Sequence, residues 1–418
     1  MRSEENRVNS LFFRRIMRVL FGTLGAQLIT ISVMLLLVRL YTPAEIGGFS
    51  VWLSVATIIA VVLTGRYELA IFSAQNRGEL HAVVKLVVVL IIMLSVVVAS
   101  VLLVAPYFTS SLPAEVSGYW LALVAVSAGL AINKLLLSVL TYQQAFNQLG
   151  LARISLAACI AVCQVGAAYI FIGEGGLIYG QMLGVALATV LATFWIGKPL
   201  IVESFSAPPI IVRRVARSFI NFPKFSLPAD FINTVSSQLP VVLLAAKFGG
   251  EVAGWYALTL RMMGAPISLL AASVLDVFKE QAARDYRESG DCRKLFLSTF
   301  KVLALLALPP FIIVGFFAEP AFALIFGAEW TESGRYAVLL LPLFYMRFVV
   351  SPLSYTIYIA QRQNLDLLWQ LVLLAMTVAC FMVPATVESV LTFYAAGYAF
   401  MYFIYFWMSF HCAKGEAK

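Results

Sequence analysis

Apolar residues run along this chain in long stretches separated by short charged breaks, without the apolar/polar alternation of a half-buried strand. Twelve stretches approach or reach the roughly 20 residues that a helix needs to cross a bilayer. They fall at 19–38, 49–65, 83–105, 119–140, 154–172, 177–197, 225–246, 254–275, 297–318, 336–358, 365–385 and 389–410. Within lipid the backbone must satisfy its own hydrogen bonds, so each stretch is predicted to be a helix. The expected fold is all-α: a polytopic membrane protein of about 12 transmembrane helices. Arg2, Arg7, Arg14, Arg15 and Arg18 precede the first stretch, which ends at Arg39 without a small-residue cleavage site, so it reads as a retained helix.

Composition agrees with this class. Of 418 residues, 62% are hydrophobic and 12% charged, where soluble domains carry about 25% charge. With the N-terminus placed in the cytoplasm, 23 of the 29 Lys and Arg residues fall on the inner side. The outer loops hold Arg39, Lys247 and Arg335, while Lys134, Arg261 and Arg347 lie inside predicted helices. The positive-inside rule then places both termini of a multi-pass membrane protein in the cytoplasm. The net charge of +8 is mostly topology, and no nucleic-acid partner is expected.

A basic, proline-containing stretch at 198–224 divides six helices from six, giving a lobe at 1–197, a cytoplasmic linker and a lobe at 225–418. The halves echo each other. Arg39 is followed by Glu45-Ile46-Gly47-Gly48-Phe49, and Lys247 by Glu251-Val252-Ala253-Gly254-Trp255. An even number of spans per half relates the two by an axis along the membrane normal. In "TPAE" at 42–45, Thr42 and Glu45 match a capping box with Pro43 at the first helical position.

Several chemistries are disfavoured. No phosphate-binding G-x-x-x-x-G-K-[ST] loop is present, which speaks against ATP hydrolysis. "GEGGLIYG" at 173–180 follows no strand and reads as a turn with close helix packing. The longest predicted outer loop, 319–335, leaves a glycan polymerase or ligase little room. Cys159, Cys163, Cys292, Cys380 and Cys412 form no CxxC pair, and His81 and His411 stand apart from them, so neither a disulfide framework nor a metal site is expected.

Charges inside a membrane are costly and mark functional candidates. Besides the three cations named, Asp230 lies within a predicted span, and Arg66, Glu68, Asp276 and Glu388 lie near ends. Ser226, Asp230, Asn233 and Ser237 recur at helical spacing on one face of the seventh helix, and Thr23, Gln27 and Thr30 do so on the first. Structural hydrogen bonding can explain either stripe; two on equivalent helices favour a polar cavity. In "GRYELAI" at 65–71, α-helical geometry would point Arg66 and Glu68 about 200° apart, so they are not expected to pair. Arg66 is assigned to the headgroup interface and Glu68 to the cavity mouth, against the plainer reading of a helix-end charge pair.

"RLYTPAEIGGF" at 39–49, "RYELAI" at 66–71, "GGLIYGQMLG" at 175–184, "GWYALTLRMMGAPISLL" at 254–270 and "FGAEWTESGRYAVLLLPLFYMRFVVSPLS" at 326–354 resemble the Wzx-type oligosaccharide flippases. These belong to the multidrug/oligosaccharidyl-lipid/polysaccharide exporter superfamily. The resemblance covers nearly the whole chain. It implies two six-helix lobes in a V around a central cavity with alternating access. It also implies a bacterial inner-membrane protein that moves undecaprenyl-diphosphate-linked glycan units from the cytoplasmic to the periplasmic leaflet for O-antigen lipopolysaccharide, capsule or exopolysaccharide assembly. Polymerase and chain-length proteins would be partners. The lipid II flippases of that superfamily commonly carry two further helices, which ranks peptidoglycan precursor lower. On this reading Lys134, Arg261 and Arg347 contact diphosphate or acidic sugar, with Arg39 and Lys247 near the outer mouth; Gln27, Ser226, Asn233 and Ser237 line the cavity. Glu68 and Asp230 are candidates for gating or for proton or sodium coupling, with no other cofactor. Pairing of Arg261 and Arg347 with neighbouring acids, downhill transport without an ion, and a cation-coupled multidrug extruder remain alternatives.

Overall fold

The computed structural model describes residues 2–104, 114–171, 173–196, 198–382 and 386–414; the side chains of 2–20, 114, 196, 198–201, 268–273 and 276 lie outside that description. The arginines of the N-terminal tail and Asp276 are therefore not placed.

The described residues are mostly helical. The helices are α1 (Arg2–Leu40), α2 (Pro43–Leu63), α3 (Arg77–Val104), α4 (Ala114–Gly118), α5 (Trp120–Tyr142), α6 (Phe146–Ala167), α7 (Glu174–Ile196), α8 (Lys198–Phe205) and α9 (Pro209–Ser218). They continue with α10 (Leu227–Phe248), α11 (Gly250–Ser289), α12 (Arg293–Phe326), α13 (Thr331–Leu339), α14 (Leu341–Val350), α15 (Tyr355–Ile359), α16 (Gln363–Met382) and α17 (Val387–Cys412). Among the described residues, 10 helices are long and apolar enough to cross a membrane, and a pair bent by 53° at Leu340 makes up to 11. The predicted eighth stretch lies on α11. The predicted tenth is the broken pair, interrupted beside Pro342, whose nitrogen cannot donate to the preceding turn.

Contacts divide the chain into two compact units, Met1–Tyr41 with Gly48–Thr234, and Thr42–Gly47 with Val235–Lys418. The first unit takes in the stretch at 198–224, whose helices α8 and α9 pack on α3. Leu63, Ile71, Val83, Val87, Leu135, Leu140 and Val215 are among its buried residues. Glycine sets one of its close helix pairs: a Cβ on Gly180 would lie 2.5 Å from the Gln164 Cα, and one on Gly184 2.4 Å from the Ile160 Cα. The "GEGGLIYG" run thus serves close packing of α7 on α6.

In the second unit the capping box forms: the Thr42 amide donates to Glu45 Oε2 at 2.8 Å, and the Glu45 amide to Thr42 Oγ1 at 3.4 Å. It starts α2 where that helix meets α11, so closely that a Cβ on Gly254 would lie 1.9 Å from the Pro43 carbonyl oxygen.

Candidate functional site

Two polar centres stand out, one in each unit. The first begins where α2 ends. Gly65 and Arg66 take left-handed φ values of +56° and +61°, and the chain continues as a 3-10 helix over Tyr67–Ser73. This turn brings Arg66 and Glu68 to 3.5 Å. The expectation that they do not pair was wrong because it assumed α-helical angles; the left-handed residue and the 3-10 turn remove that constraint. Glu68 is 1% exposed, and its carboxylate also meets Lys134 of α5 at 3.2 Å. Asp230 of α10 closes the ring, 2.9 Å from Arg66 and 3.4 Å from Lys134. Two cations and two carboxylates alternate around it. Tyr67, between the paired residues, donates its hydroxyl to the Ala216 carbonyl at 2.9 Å.

The ring compensates its charges without exhausting them. Arg66 Nε and Glu68 Oε2 are both buried and have no hydrogen-bond partner among the described residues. Such atoms cost stability unless another state or a ligand engages them. Lys134, assigned on sequence to the substrate, and Glu68 and Asp230, assigned to coupling or gating, therefore occupy one network. Glu68 lies inside that network, not at an open mouth.

The second centre surrounds Arg347 on α14. Its side chain is accessible, yet it lies in a membrane span, within electrostatic reach of the phenols of Tyr402, Tyr398, Tyr394 and Tyr256. No ion pair of Arg347 with a carboxylate occurs among the described residues. Tyr394, Tyr398, Tyr402 and Tyr405 form a ladder down α17, with successive ring centroids 5.4, 5.3 and 6.1 Å apart. Trp369 of α16 stacks on Tyr405 at 4.1 Å. Asp366, 6% exposed, accepts from Tyr358 at 2.8 Å, from Gln370 at 2.9 Å and from the Tyr405 hydroxyl.

The remaining candidates are dispersed. Lys247 donates to the Phe381 carbonyl at 3.0 Å, satisfying an orphan acceptor at the end of α16. Arg261 is half-buried on α11, and Arg39 is exposed at the end of α1. Asn233 and Ser237 are exposed along α10, while Ser226 is half-buried in the π-turn before it. Gln27 is half-buried on α1, and its neighbour Thr23 accepts from Arg153 of α6. Sequence reasoning missed Asp366 and the tyrosine ladder. The spacing of four, four and three residues in "YAAGYAFMYFIY" was the available signal, masked because tyrosine reads as apolar in a hydrophobic span.

An all-α bundle of this order, with charged groups held inside its candidate spans, is that of a polytopic membrane protein. The chain belongs to a family described as "Polysaccharide biosynthesis protein", which matches residues 36–335. The teichuronic acid biosynthesis protein TuaB of Bacillus subtilis (strain 168) is 22% identical over 156 residues, 37% of this chain and 32% of TuaB. The chain thus aligns with about a third of that relative's length. Among solved structures, the lipid II flippase MurJ in an inward closed conformation has a TM-score of 0.70 at 10% identity, over 95% of this chain and 87% of MurJ. An inward-facing MATE family multidrug resistance transporter of the MOP superfamily has 0.66 at 14%, over 94% and 93%. A MOP superfamily transporter from Pyrococcus furiosus, described as having a binding pocket of reversed polarity, has 0.60 at 14%, over 96% of each chain. These likenesses show the fold, and the family match bears out the expected polysaccharide family.

Proposed function

We propose that this protein is a flippase that carries a polyprenyl-diphosphate-linked glycan across a bacterial inner membrane during surface polysaccharide assembly. Arg347 carries the reading. A guanidinium in a membrane span, accessible and near phenols but without a carboxylate partner among the described residues, suits a ligand that brings its own negative charge. The diphosphate is such a group, and the neighbouring aromatic rings suit the apolar faces of sugars. The polysaccharide family and the fold shared with a lipid flippase support the same substrate class. The ring of Arg66, Glu68, Lys134 and Asp230 would couple the cycle to a proton or sodium ion, since its carboxylates can exchange a cation partner for an ion.

The test is leaflet-to-leaflet movement of a fluorescent undecaprenyl-diphosphate oligosaccharide in liposomes containing the purified chain. Wild type is expected to move the lipid, Arg347→Ala to slow it at least about 10-fold at equal protein, and Arg347→Lys to retain part of the rate, in line with about 1.5–3 kcal/mol for a charged hydrogen bond. Equal rates for wild type and Arg347→Ala would remove Arg347 from the substrate path. Failure to move the lipid, with gradient-driven uptake of cationic dyes, would replace the flippase reading by a multidrug extruder.

A further inference from the structure

We propose that the α8–α9 hairpin is a docking pad for the anionic lipid headgroups of the leaflet on the basic side of the membrane. Three observations carry this, and none depends on what the protein transports.

The first is depth. Lys85 lies on α3, eight residues after Arg77, and its ammonium donates to the carbonyls of Phe205 and Ala207 at 2.8 and 2.7 Å. Eight residues correspond to about 12 Å along a helix axis. At 28 residues α3 is about 42 Å long, against a hydrocarbon core of about 30 Å, so the tie falls near the boundary between headgroups and acyl chains. The hairpin lies along α3 at that level and is not a free cytosolic loop.

The second is the division of faces on α9. Val215 is buried against α3, with Ile211, Val212 and Phe219 partly buried beside it. The opposite face presents Arg213, Arg214 and Arg217, all exposed and none in an ion pair among the described residues. The hairpin's own acid, Glu203, is turned to His81 at 3.4 Å. The arginine face is therefore uncompensated.

The third is exposed apolar surface among those cations. Val202, Phe205 and Ile210 are 63, 54 and 72% exposed, and beyond the helix Ile220 and Phe225 are 51 and 62% exposed. Apolar groups interleaved with arginines at headgroup depth match an interface of anionic headgroups over acyl chains. A polyanion in solution would engage the arginines and leave the apolar groups in water.

The experiment is native mass spectrometry of the full chain in detergent, counting retained phosphatidylglycerol against phosphatidylcholine. Wild type is expected to prefer phosphatidylglycerol, and Arg213→Gln/Arg214→Gln/Arg217→Gln to lose about five-fold of that preference per arginine removed. The Arg→Lys triple variant should keep most of it. Equal preference in the wild type and a monodisperse Gln variant would overturn the proposal. Should the Gln variant fail to fold, the wild type decides: a preference that survives 0.5 M salt, at a screening length of only about 4 Å, is not this pad. Release of phosphatidylglycerol by millimolar inorganic pyrophosphate, with pyrophosphate retained in its place, would make the patch a soluble-anion site and equally overturn a lipid surface.

Discussion

Glu68 concentrates the question of what the first centre is for. With 1% exposure it faces two cations, Arg66 at 3.5 Å and Lys134 at 3.2 Å, while its second oxygen has no hydrogen-bond partner. Breaking a buried pair leaves an uncompensated charge, costing about 3–5 kcal/mol. Lys134, with 36% of its side chain exposed, can relax toward water, which reduces that to about 2 kcal/mol. Glu68→Gln is therefore expected to lower thermal stability in detergent by that order, and Lys134→Gln, which leaves the 1% exposed Glu68 with Arg66 alone, by at least as much. The double variant should lose less than the sum of the two, because neither charge then lacks its partner. Additive losses would mean the ring is not coupled. In the transport assay, a pH dependence in wild type that disappears in Glu68→Gln supports ion coupling, whereas an unchanged profile removes Glu68 from that role.

At the scale of elements, what decides the packing is backbone approach, not charge. On α11, Gly254 meets the first turn of α2, where a Cβ would lie 1.9 Å from the Pro43 carbonyl oxygen, whereas a Cβ on Gly264 of the same helix would meet nothing within 4 Å. A carbonyl held in a capped first turn cannot yield, so Gly254→Ala should cost at least the 1–3 kcal/mol or so of overpacking. Gly264→Ala should be neutral, or stabilise by up to about 1 kcal/mol through helix propensity. Thermal unfolding of the two variants followed by size-exclusion fluorescence checks the contrast, and similar shifts would place the close approach elsewhere. The spans were legible because unbroken apolar length admits one answer in lipid, and the capping box because its residue spacing is its geometry. The meeting of Arg66 with Glu68 was hidden, since it depends on a left-handed residue that no spacing rule anticipates. Asp366 was hidden differently: its partners Tyr358, Gln370 and Tyr405 come from three helices, and no spacing in the sequence brings the three together.

At the scale of the whole molecule, the length of α11 tests the topology. Its 40 residues extend about 60 Å, twice the thickness of the hydrocarbon core, so one end must project from the membrane. The segment from Lys279 to Ser289 carries acids and bases along its length and joins the basic start of α12, while the opposite end begins at Gly250 beside the exposed Glu251. On the positive-inside rule the charged end is expected on the cytoplasmic side. Glu251→Cys and Glu288→Cys are both exposed positions outside the ion pairs described. In intact cells a membrane-impermeant maleimide is expected to label Glu251→Cys, and to label Glu288→Cys only after the membrane is opened, with the parent chain as the control for native thiols. The reverse pattern would invert the chain, moving the α8–α9 arginines to the outer leaflet. Labelling of both sites in intact cells would mean that α11 does not cross the membrane, and the twelve-span reading would lose its eighth helix.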